Sequence, residues 1–166
     1  MSRKYKYGMY GGKFMPFHKG HLHCLEKASE ECENVYCVLV IGGADERRIL
    51  TTRDDAFLKP EAREKHIREI CSERFDNVKL VVADVSTCIK EDGSDDWDAE
   101  TPIMTEACEG NILDAVYGSE PSYEKYFKKA YPTAEYILVD VDRKEVPISA
   151  TKIRSMSEKE REDWIV

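Results

Sequence analysis

The chain has 166 residues, 42% of them hydrophobic and 35% charged, which suits one folded domain with a substantial core and leaves no room for a second catalytic domain. Its formal net charge of −8 argues against a general nucleic-acid-binding surface, because polyphosphate backbones select for basic proteins. No apolar run approaches the roughly 20 residues of a membrane span, and residues 1–14 lack the apolar stretch of a secretory signal, so we expect a cytoplasmic protein with no membrane partner.

Strand-like and helix-like segments alternate along the chain. Residues 5–11 are predicted to form a strand, residues 20–33 a helix because apolar side chains repeat there at helical spacing, and residues 35–41 a strand buried on both faces. The alternation continues with a helix at 60–74, a strand at 78–82, a short helix at 102–108, a strand at 112–117, a helix at 122–130 and a strand at 136–139. A charged surface helix is predicted at 157–164, within 156–166. Residues 91–100 carry six carboxylates around Trp97 and are predicted to form a loop.

This order of elements indicates the fold class. Alternating strands and helices predict an α/β fold in which a doubly wound parallel sheet of about five strands is covered by helices on both sides. No internal repeat and no linker rich in proline, glycine or serine divides the chain, so residues 1–166 are expected to form a single domain. Ligands of such sheets bind beyond the carboxyl ends of the strands. Functional residues are therefore expected in the loops that follow the strands.

The loop between the first strand and the first helix has the composition of a phosphate site. Gly11 and Gly12 permit a tight turn, and Gly20 removes a side chain where a nucleotide would lie against the backbone. The free N–H groups and the dipole of a helix that starts here attract anions. His18 and His21 are three residues apart, so both imidazoles can donate to one phosphate group. Taken alone, either histidine would more often be a helix cap or a surface residue.

A second candidate anion site lies at residues 148–154. Ser149 or Thr151 can cap a helix that begins here, its N–H groups can face the β- and γ-phosphates, and the planar guanidinium of Arg154 can clamp them. An ordinary capped helix with a solvated Lys152 and Arg154 is the alternative for this segment on its own. Together, the two segments supply the pair of anion sites that a triphosphate needs.

Both segments resemble signatures of one superfamily. The spacing G-x-F-x-P-x-H-x-G-H at residues 12–21 is similar to the signature of the HxGH nucleotidyltransferases, which have a Rossmann-like fold, and residues 148–154 resemble their ISxTxIR element. The resemblance implies that the reacting phosphates are held by a catalytic set of His18, His21, Lys13 and Arg154. It implies an ATP site formed by Gly11, Gly12, Phe14, Gly20, Ser119, Ser149, Thr151 and Lys152.

Within that superfamily the chain is most similar to nicotinamide-nucleotide adenylyltransferases, including archaeal enzymes and the transferase domain of bifunctional ribosylnicotinamide kinases. Residues 12–18, 117–121 and 139–144 carry the similarity, and Lys13 and Met15 depart from the Gly-Ser-Phe-Asp-Pro sequence usual in pantetheine-phosphate adenylyltransferases. The chain shows no P-loop kinase segment and no DNA-binding region, so kinase activity and regulation are not implied. The similarity implies transfer of AMP from ATP to nicotinamide mononucleotide (NMN) or nicotinate mononucleotide, with release of pyrophosphate.

The expected mechanism needs no general base. A phosphate nucleophile is already anionic at neutral pH, so in-line attack at the α-phosphorus depends on positioning and charge neutralisation. Magnesium is expected to bridge the phosphates, held by substrate oxygens and water, so no residue is assigned as a metal ligand. The expected partners are ATP and NMN or a similar phosphorylated acceptor, and a homo-oligomer is left open.

Two residues are candidates for binding the acceptor. The pyridinium ring of NMN is cationic and stacks well on an indole, which suggests Trp97, and nearby carboxylates would disfavour the extra carboxylate of nicotinate mononucleotide. A loop anchor among solvated acids is the alternative for Trp97. Arg63, on the helix at 60–74, could reach a phosphate or form a surface salt bridge with Glu61 or Glu64.

Two other functions fit the same residues. The chain could transfer an adenylyl or cytidylyl group to another phosphorylated small molecule, such as phosphopantetheine or a glycerol or sugar phosphate, because the acceptor loops rather than the two motifs decide this. It could also be a nucleotide-binding sensor without turnover. The intact histidines, Ser149, Thr151 and Arg154 speak against a sensor.

Overall fold

The centre of the molecule is a five-stranded sheet. The structure, a computed structural model, describes residues 3–166. The strands are β1 (Tyr5–Gly12), β2 (Cys32–Ile41), β3 (Val78–Asp84), β4 (Ala115–Gly118) and β5 (Glu135–Leu138). They lie in the order β3-β2-β1-β4-β5, and every neighbouring pair is parallel.

Helices connect the strands and follow the last of them. The α-helices of residues 3–166 are α1 (Lys19–Glu31), α2 (Ala44–Thr52), α3 (Pro60–Arg74), α4 (Trp97–Ala107), α5 (Glu124–Ala130), α6 (Ala150–Arg154) and α7 (Glu158–Arg161). Short 3-10 turns at Ala56–Leu58 and Pro121–Tyr123 precede α3 and α5. Within the described residues, no helix is both long enough and apolar enough to cross a membrane.

The strand order creates a crevice between β1 and β4. From β1 the chain moves outward through β2 to β3, then crosses to β4 on the other side of β1 and continues to β5. The loops after β1 and β4 therefore leave the sheet in opposite directions, and ligands of doubly wound sheets bind where this happens. The predicted α/β, Rossmann-like, doubly wound fold in a single domain is confirmed.

Both faces of the sheet are covered, in agreement with the continuous apolar run of β2. Val35, Cys37 and Leu39 face a core that includes α1 and α3, whereas Tyr36 and Val38 face a core that includes α4. Successive side chains of a strand point to opposite faces of the sheet. Residues 35–39 of β2 are buried and carry no charge, whereas Glu33 and Asn34 near its start are exposed.

Helix α2 is missing from the sequence prediction. Of its nine residues only Glu46 and Ile49 are buried, so its hydrophobic repeat is too weak to indicate a helix. The first turn of the helix contains Asp45 and Glu46, whose negative charges are favourable near the positive end of the helix dipole. It follows β2 at the carboxyl edge of the sheet, which is the edge where ligands are expected.

The loop predicted for residues 91–100 ends earlier than expected. Helix α4 begins at Trp97, and the side chain of Asp96 caps it by accepting the N–H of Ala99 at 3.2 Å. Pro102 suggested a helix start in the sequence, but it lies inside α4, where its ring removes one intrahelical hydrogen bond. The loop prediction was wrong for its last four residues, and Trp97 and Glu100 lie on a helix.

The predicted surface helix at 157–164 is reduced to the single turn of α7, which Ser157 caps. The residues after α7 turn back toward α1. The carbonyl oxygen of Trp164 accepts the N–H of Lys19 at 2.9 Å, and Ile165 forms an isolated antiparallel bridge with His18. This segment therefore supports the start of α1.

Candidate active site

A cavity of about 770 Å³ opens beyond the carboxyl ends of β1, β2 and β4. It lies at the crevice that the strand order creates. Most of the residues expected to bind substrates line it, namely Gly11, Gly12, Lys13, His18, Gly20, His21, Trp97, Ser119, Ser149 and Thr151. Four of the expected residues do not line it, namely Phe14, Arg63, Lys152 and Arg154.

His18 and His21 form a stacked pair at the start of α1. Their ring centroids are 3.7 Å apart and their planes differ by 28°. Nδ1 of His18 accepts the N–H of Gly20 at 3.0 Å, and Nδ1 of His21 accepts the N–H of His18 at 3.1 Å. A ring nitrogen that accepts a hydrogen bond carries no proton, so each neutral imidazole carries its proton on Nε2. The pair thus caps the helix with Nδ1 and offers two Nε2–H donors to a ligand.

Burial keeps both imidazoles neutral. It lowers the pKa of His18 from 6.5 to about 4, with a smaller contribution from the positive charge of Arg143. Burial also lowers the pKa of His21 well below 6.5, and the neighbouring His18 and Arg143 lower it further. At neutral pH the rings are therefore uncharged hydrogen-bond donors.

Two glycines make room for the aromatic side chains around this pair. A Cβ at Gly20 would lie 2.8 Å from Cε1 of His18, and a Cβ at Gly12 would lie 2.9 Å from Cε1 of Phe14. Phe14 is buried and does not reach the cavity. Its ring packs edge-on against that of His21, with centroids 4.8 Å apart. Phe14 therefore orients a histidine instead of lining the predicted ATP site.

Arg143 is a residue of the cavity to which the sequence assigned no function. It follows β5, lines the cavity and donates from Nη1 to the carbonyl oxygen of Ile148 at 2.6 Å. Asp140 shapes the loop that carries it by accepting the N–H groups of Lys144, Glu145 and Val146 at 2.7, 3.0 and 2.9 Å. Its position a few residues beyond the carboxyl end of a strand is the sequence signal that could have identified Arg143 as a ligand-binding residue.

The second motif contacts the first. Ser149 caps α6 by accepting the N–H of Lys152 at 3.2 Å. Arg154 donates from Nη1 to the carbonyl oxygen of Met15 at 2.8 Å and from Nη2 to Oγ1 of Thr151 at 3.3 Å. Its guanidinium thus lies between the two motifs, just outside the cavity lining. The side chain of Lys152 is exposed beyond it.

Lys13 forms an ion pair with Asp45, the second residue of α2. The pair is roughly half-exposed, and both residues line the cavity. Hydrogen bonds from Lys13 and then from Arg48 lower the pKa of Asp45 to about 2. Arg48 reaches the other carboxylate oxygen with Nη2 at 2.7 Å. Helix α2, which the sequence did not indicate, therefore supplies the partner of an expected catalytic residue.

Gly118, the last residue of β4, and Ser119, in the loop that follows, line the cavity. A Cβ at Gly118 would lie 2.5 Å from the hydroxyl oxygen of Tyr136, so a larger residue would displace that ring. Ser119 donates its hydroxyl to the carbonyl oxygen of Val139 at 2.7 Å. This bond ties the ends of the neighbouring strands β4 and β5 together at the cavity floor.

Aromatic side chains and carboxylates form another part of the cavity wall. The ring of Trp97 packs edge-on against those of Tyr123 and Tyr126, with centroids 5.0 and 4.6 Å apart. Glu100 lies one turn further along α4 and also lines the cavity. Burial, together with the negative charges of Asp95 and Asp96, raises the pKa of Glu100 to about 7. A flat ring can pack against the aromatic side chains of this wall. The carboxylates beside them would repel a negatively charged ligand group.

Arg63 lies in the interior and not at the cavity, contrary to the prediction. Its side chain is 1% exposed and forms an ion pair with the equally buried Glu46. The hydrophobic pattern of α3 could not show this, because Glu46 belongs to the helix that the sequence did not indicate. Neither acid considered as its partner, Glu61 or Glu64, forms an ion pair with it in the described residues.

Within residues 3–166, no cluster of three or more His, Cys, Asp and Glu side chains is arranged to hold a metal ion.

A protein-family model matches most of the chain and shows to which family it belongs. The model describes the cytidylyltransferase-like family and covers residues 9–156, from β1 to just beyond α6. The chain belongs to the cytidylyltransferase-like family. The predicted membership of the HxGH nucleotidyltransferases, near the NMN adenylyltransferases, is thereby confirmed.

Solved proteins that resemble this member of the cytidylyltransferase-like family include NadR and a bifunctional protein from Francisella tularensis. The crystal structure of NadR in complex with NR superposes with a TM-score of 0.71 at 25% identity, over 99% of this chain and 45% of that chain. NadR in complex with NAD and AMP-PNP gives a TM-score of 0.68 at 25% identity, over 99% and 46%. The chain therefore spans less than half the length of NadR.

The second relative comes from Francisella tularensis and has the same fold. Its bifunctional NMN adenylyltransferase/ADP ribose pyrophosphatase superposes with a TM-score of 0.61 at 19% identity, over 90% of this chain and 41% of that chain. A structure of the same protein with AMP and an Mn ion gives 0.55 at 19% identity, over 93% and 43%. The fold of this cytidylyltransferase-like protein is thus that of a nucleotidyltransferase related to NMN adenylyltransferases.

Proposed function

We propose that this protein transfers AMP from ATP to NMN, forming NAD and pyrophosphate. The observation that carries the proposal is the stacked pair of neutral imidazoles, which directs two Nε2–H donors from the start of α1 beside the cavity. Lys13 and Arg143 add positive charge to the same cavity. Donors and cations that converge at one helix N-terminus are suited to a polyphosphate.

The proposed reaction is a single in-line displacement. The anionic 5′-phosphate of the acceptor attacks the α-phosphorus of ATP, the bond from that phosphorus to the bridging oxygen breaks, and pyrophosphate leaves with the bonding electrons. His18 and His21 hold the α-phosphate oxygens, where negative charge redistributes in the transition state. Lys13 and Arg143 neutralise the departing pyrophosphate from the cavity lining, and Arg154 adds positive charge from just outside it. Catalysis then rests on position and charge, without a covalent intermediate.

The proposed ATP site also includes glycine and hydroxyl-bearing residues of the cavity lining. Gly11 lies in the cavity wall with no side chain, so adenosine can approach the end of β1. Ser149 and Thr151 line the cavity on the side of the second motif and would face the β- and γ-phosphates. Ser119 would lie near the adenosine, in the loop after β4.

Magnesium is proposed to enter with ATP. A divalent ion bound to the triphosphate would neutralise part of its negative charge. Most of the ligands of that ion would be phosphate and water oxygens. Asp45 lines the cavity beside Lys13 and is ionised at every pH at which ATP is fully charged, so its carboxylate fits a site next to such an ion.

The acceptor is proposed to bind against the aromatic part of the wall. The cationic pyridinium of NMN would stack on the indole of Trp97 and lie near Glu100. Nicotinate mononucleotide has the same ring but carries a carboxylate in place of the carboxamide of NMN, and the acidic groups around Glu100 would repel that charge. These two residues therefore favour NMN between the two nicotinamide-type acceptors.

Acceptor-dependent release of pyrophosphate tests the function. Purified protein is incubated with ATP and magnesium and, in separate reactions, with NMN, nicotinate mononucleotide or phosphopantetheine. We expect pyrophosphate and NAD with NMN, and loss of both in the His18→Asn variant. Release with phosphopantetheine alone would identify a different acceptor. ATP binding without release for any acceptor would identify a nucleotide sensor and contradict the proposal.

A further inference from the structure

The buried ion pair of Arg63 and Glu46 lies outside the cavity. The side chains are 1% and 3% exposed, and neither lines the cavity wall. Two opposite charges removed from water remain favourable only when their other hydrogen-bonding groups are also satisfied. The partners of those groups therefore indicate what the pair holds in place.

Every other polar atom of the pair is bonded to backbone. Arg63 donates from Nη1 to the carbonyl oxygen of Lys13 at 2.6 Å and from Nε to that of Leu58 at 2.8 Å. One oxygen of Glu46 accepts from Arg63, and the other accepts the N–H of Gly42. The pair thus connects α3 to the loops that follow β1 and β2.

Those two loops form one rim of the cavity. Lys13 follows β1 directly, and Gly42 follows β2 and precedes Asp45. Gly42 has a φ of +83°, which favours glycine, and a Cβ there would lie 2.8 Å from Cβ of Ser86. The backbone at Gly42 is therefore closely fixed, and Arg63 holds the carbonyl oxygen of Lys13, whose side chain meets that of Asp45.

We infer that the Glu46–Arg63 pair is a positioning device for the triphosphate site, which fixes where the Lys13 ammonium meets the phosphates by holding the Lys13 carbonyl and the Gly42 amide. The inference rests on the proposed function, in which Lys13 contacts ATP. The pair touches no substrate and acts through Lys13. A displacement of about 1 Å at such a group can lower turnover about 100-fold, so the effect on turnover is expected to exceed the effect on folding.

The test combines two sets of substitutions. Glu46→Gln with Arg63→Met removes both buried charges, keeps an acceptor for Gly42 and removes the donor to Lys13. Lys13→Ala is then made in the natural protein and in this double variant. The dissociation constant of ATP with magnesium is measured by calorimetry, and kcat and KM are measured with NMN.

A matched control comes from the same helix. Glu64 and Arg68 form an exposed pair on α3, and Glu64→Gln with Arg68→Met makes the same chemical changes there. We expect Lys13→Ala to weaken ATP binding about tenfold in the natural protein and in this control, but less than about threefold in the variant without the buried pair, because Lys13 is already misplaced there.

The possible outcomes separate the inference from the proposed function. An equal loss from Lys13→Ala in all three backgrounds overturns the inference. Absence of turnover in the natural protein contradicts the proposed function, while the ATP affinities still decide the inference. Should the double variant not fold, Arg63→Lys replaces it. Its single ammonium can pair with Glu46 but cannot also reach both carbonyl groups, so the same loss of coupling is expected.

Discussion

Arg154 donates a hydrogen bond of 2.8 Å to the carbonyl oxygen of Met15, across 139 residues of sequence. The second motif is thereby attached to the backbone of the first, between Lys13 and His18. An arginine that looks like a phosphate ligand in the sequence also holds the loop in which the other phosphate ligands lie. Its substitution should therefore affect both stability and turnover.

Replacement of Arg154 tests this double function. Arg154→Lys keeps the charge but loses the planar fork that reaches both Met15 and Thr151. We expect kcat/KM for ATP to fall at least about tenfold and the free energy of unfolding to fall by about 1 kcal/mol, measured by urea denaturation. Lys159→Ala, at an exposed position on α7, serves as the control and should change neither. A stable variant with full activity would contradict both functions.

The two nitrogens of His18 can be tested separately. An asparagine oxygen can replace Nδ1 as the helix cap, whereas a glutamine amide can replace the Nε2–H donor. We expect His18→Asn to retain stability and lose turnover by at least about 100-fold. His18→Gln should lose about 1 kcal/mol of stability and retain more of the turnover. The reverse order in thermal unfolding and steady-state assays would show that the cap and donor functions are assigned to the wrong atoms.

The lowered pKa of His18 predicts a dependence of stability on pH. The folded protein binds this proton with a pKa of about 4, and the unfolded chain binds it near 6.5. The free energy of unfolding is therefore not reduced by this group above pH 6.5. As the pH falls from 6.5 toward 4, protonation of His18 in the unfolded chain lowers the free energy of unfolding by up to about 3 kcal/mol. Urea denaturation from pH 7.5 to 4.5 measures the loss. In His18→Asn the decrease should be shallower, and an unchanged slope would argue against the buried neutral imidazole.

Trp97 should affect one substrate only. Trp97→Ala removes the indole face and should raise KM for NMN about tenfold, since cation–π contacts in partly desolvated sites contribute about 1–2 kcal/mol. KM for ATP should change less than about twofold, because the phosphate ligands lie on other elements. Trp97→Phe should give an intermediate KM. Equal changes for both substrates would place the acceptor elsewhere in the cavity.

Glu100 should control the choice between NMN and nicotinate mononucleotide. Its pKa of about 7 means that the carboxyl group of Glu100 gains negative charge between pH 6 and 8. The ratio of kcat/KM for NMN to that for nicotinate mononucleotide should therefore rise with pH. Glu100→Gln should lower the ratio about tenfold, which corresponds to about 1.4 kcal/mol, and flatten its pH dependence. A ratio unaffected by the substitution would exclude Glu100 from acceptor selection.

The sheet and the two motifs could be predicted because their signals are local. The continuous apolar run of β2 indicates that the strand is buried on both faces. The glycines and histidines of the first motif lie close together in the sequence between β1 and α1. The prediction failed at α2 and at the start of α4. Helix α2 buries only two side chains, and α4 begins at Trp97, after its Asp96 cap and five residues before the misleading Pro102.

The contacts that complete the site could not be read from the chain. Arg63 lies 50 residues from Lys13 and 17 residues from Glu46, and no local pattern marks these residues as partners. Arg143 and Asp45 reach the cavity because parallel strands bring their carboxyl ends to one edge of the sheet. Spacing along the sequence identifies which side chains can bind phosphate, whereas the packing of distant segments determines which of them face the cavity and which support it from behind.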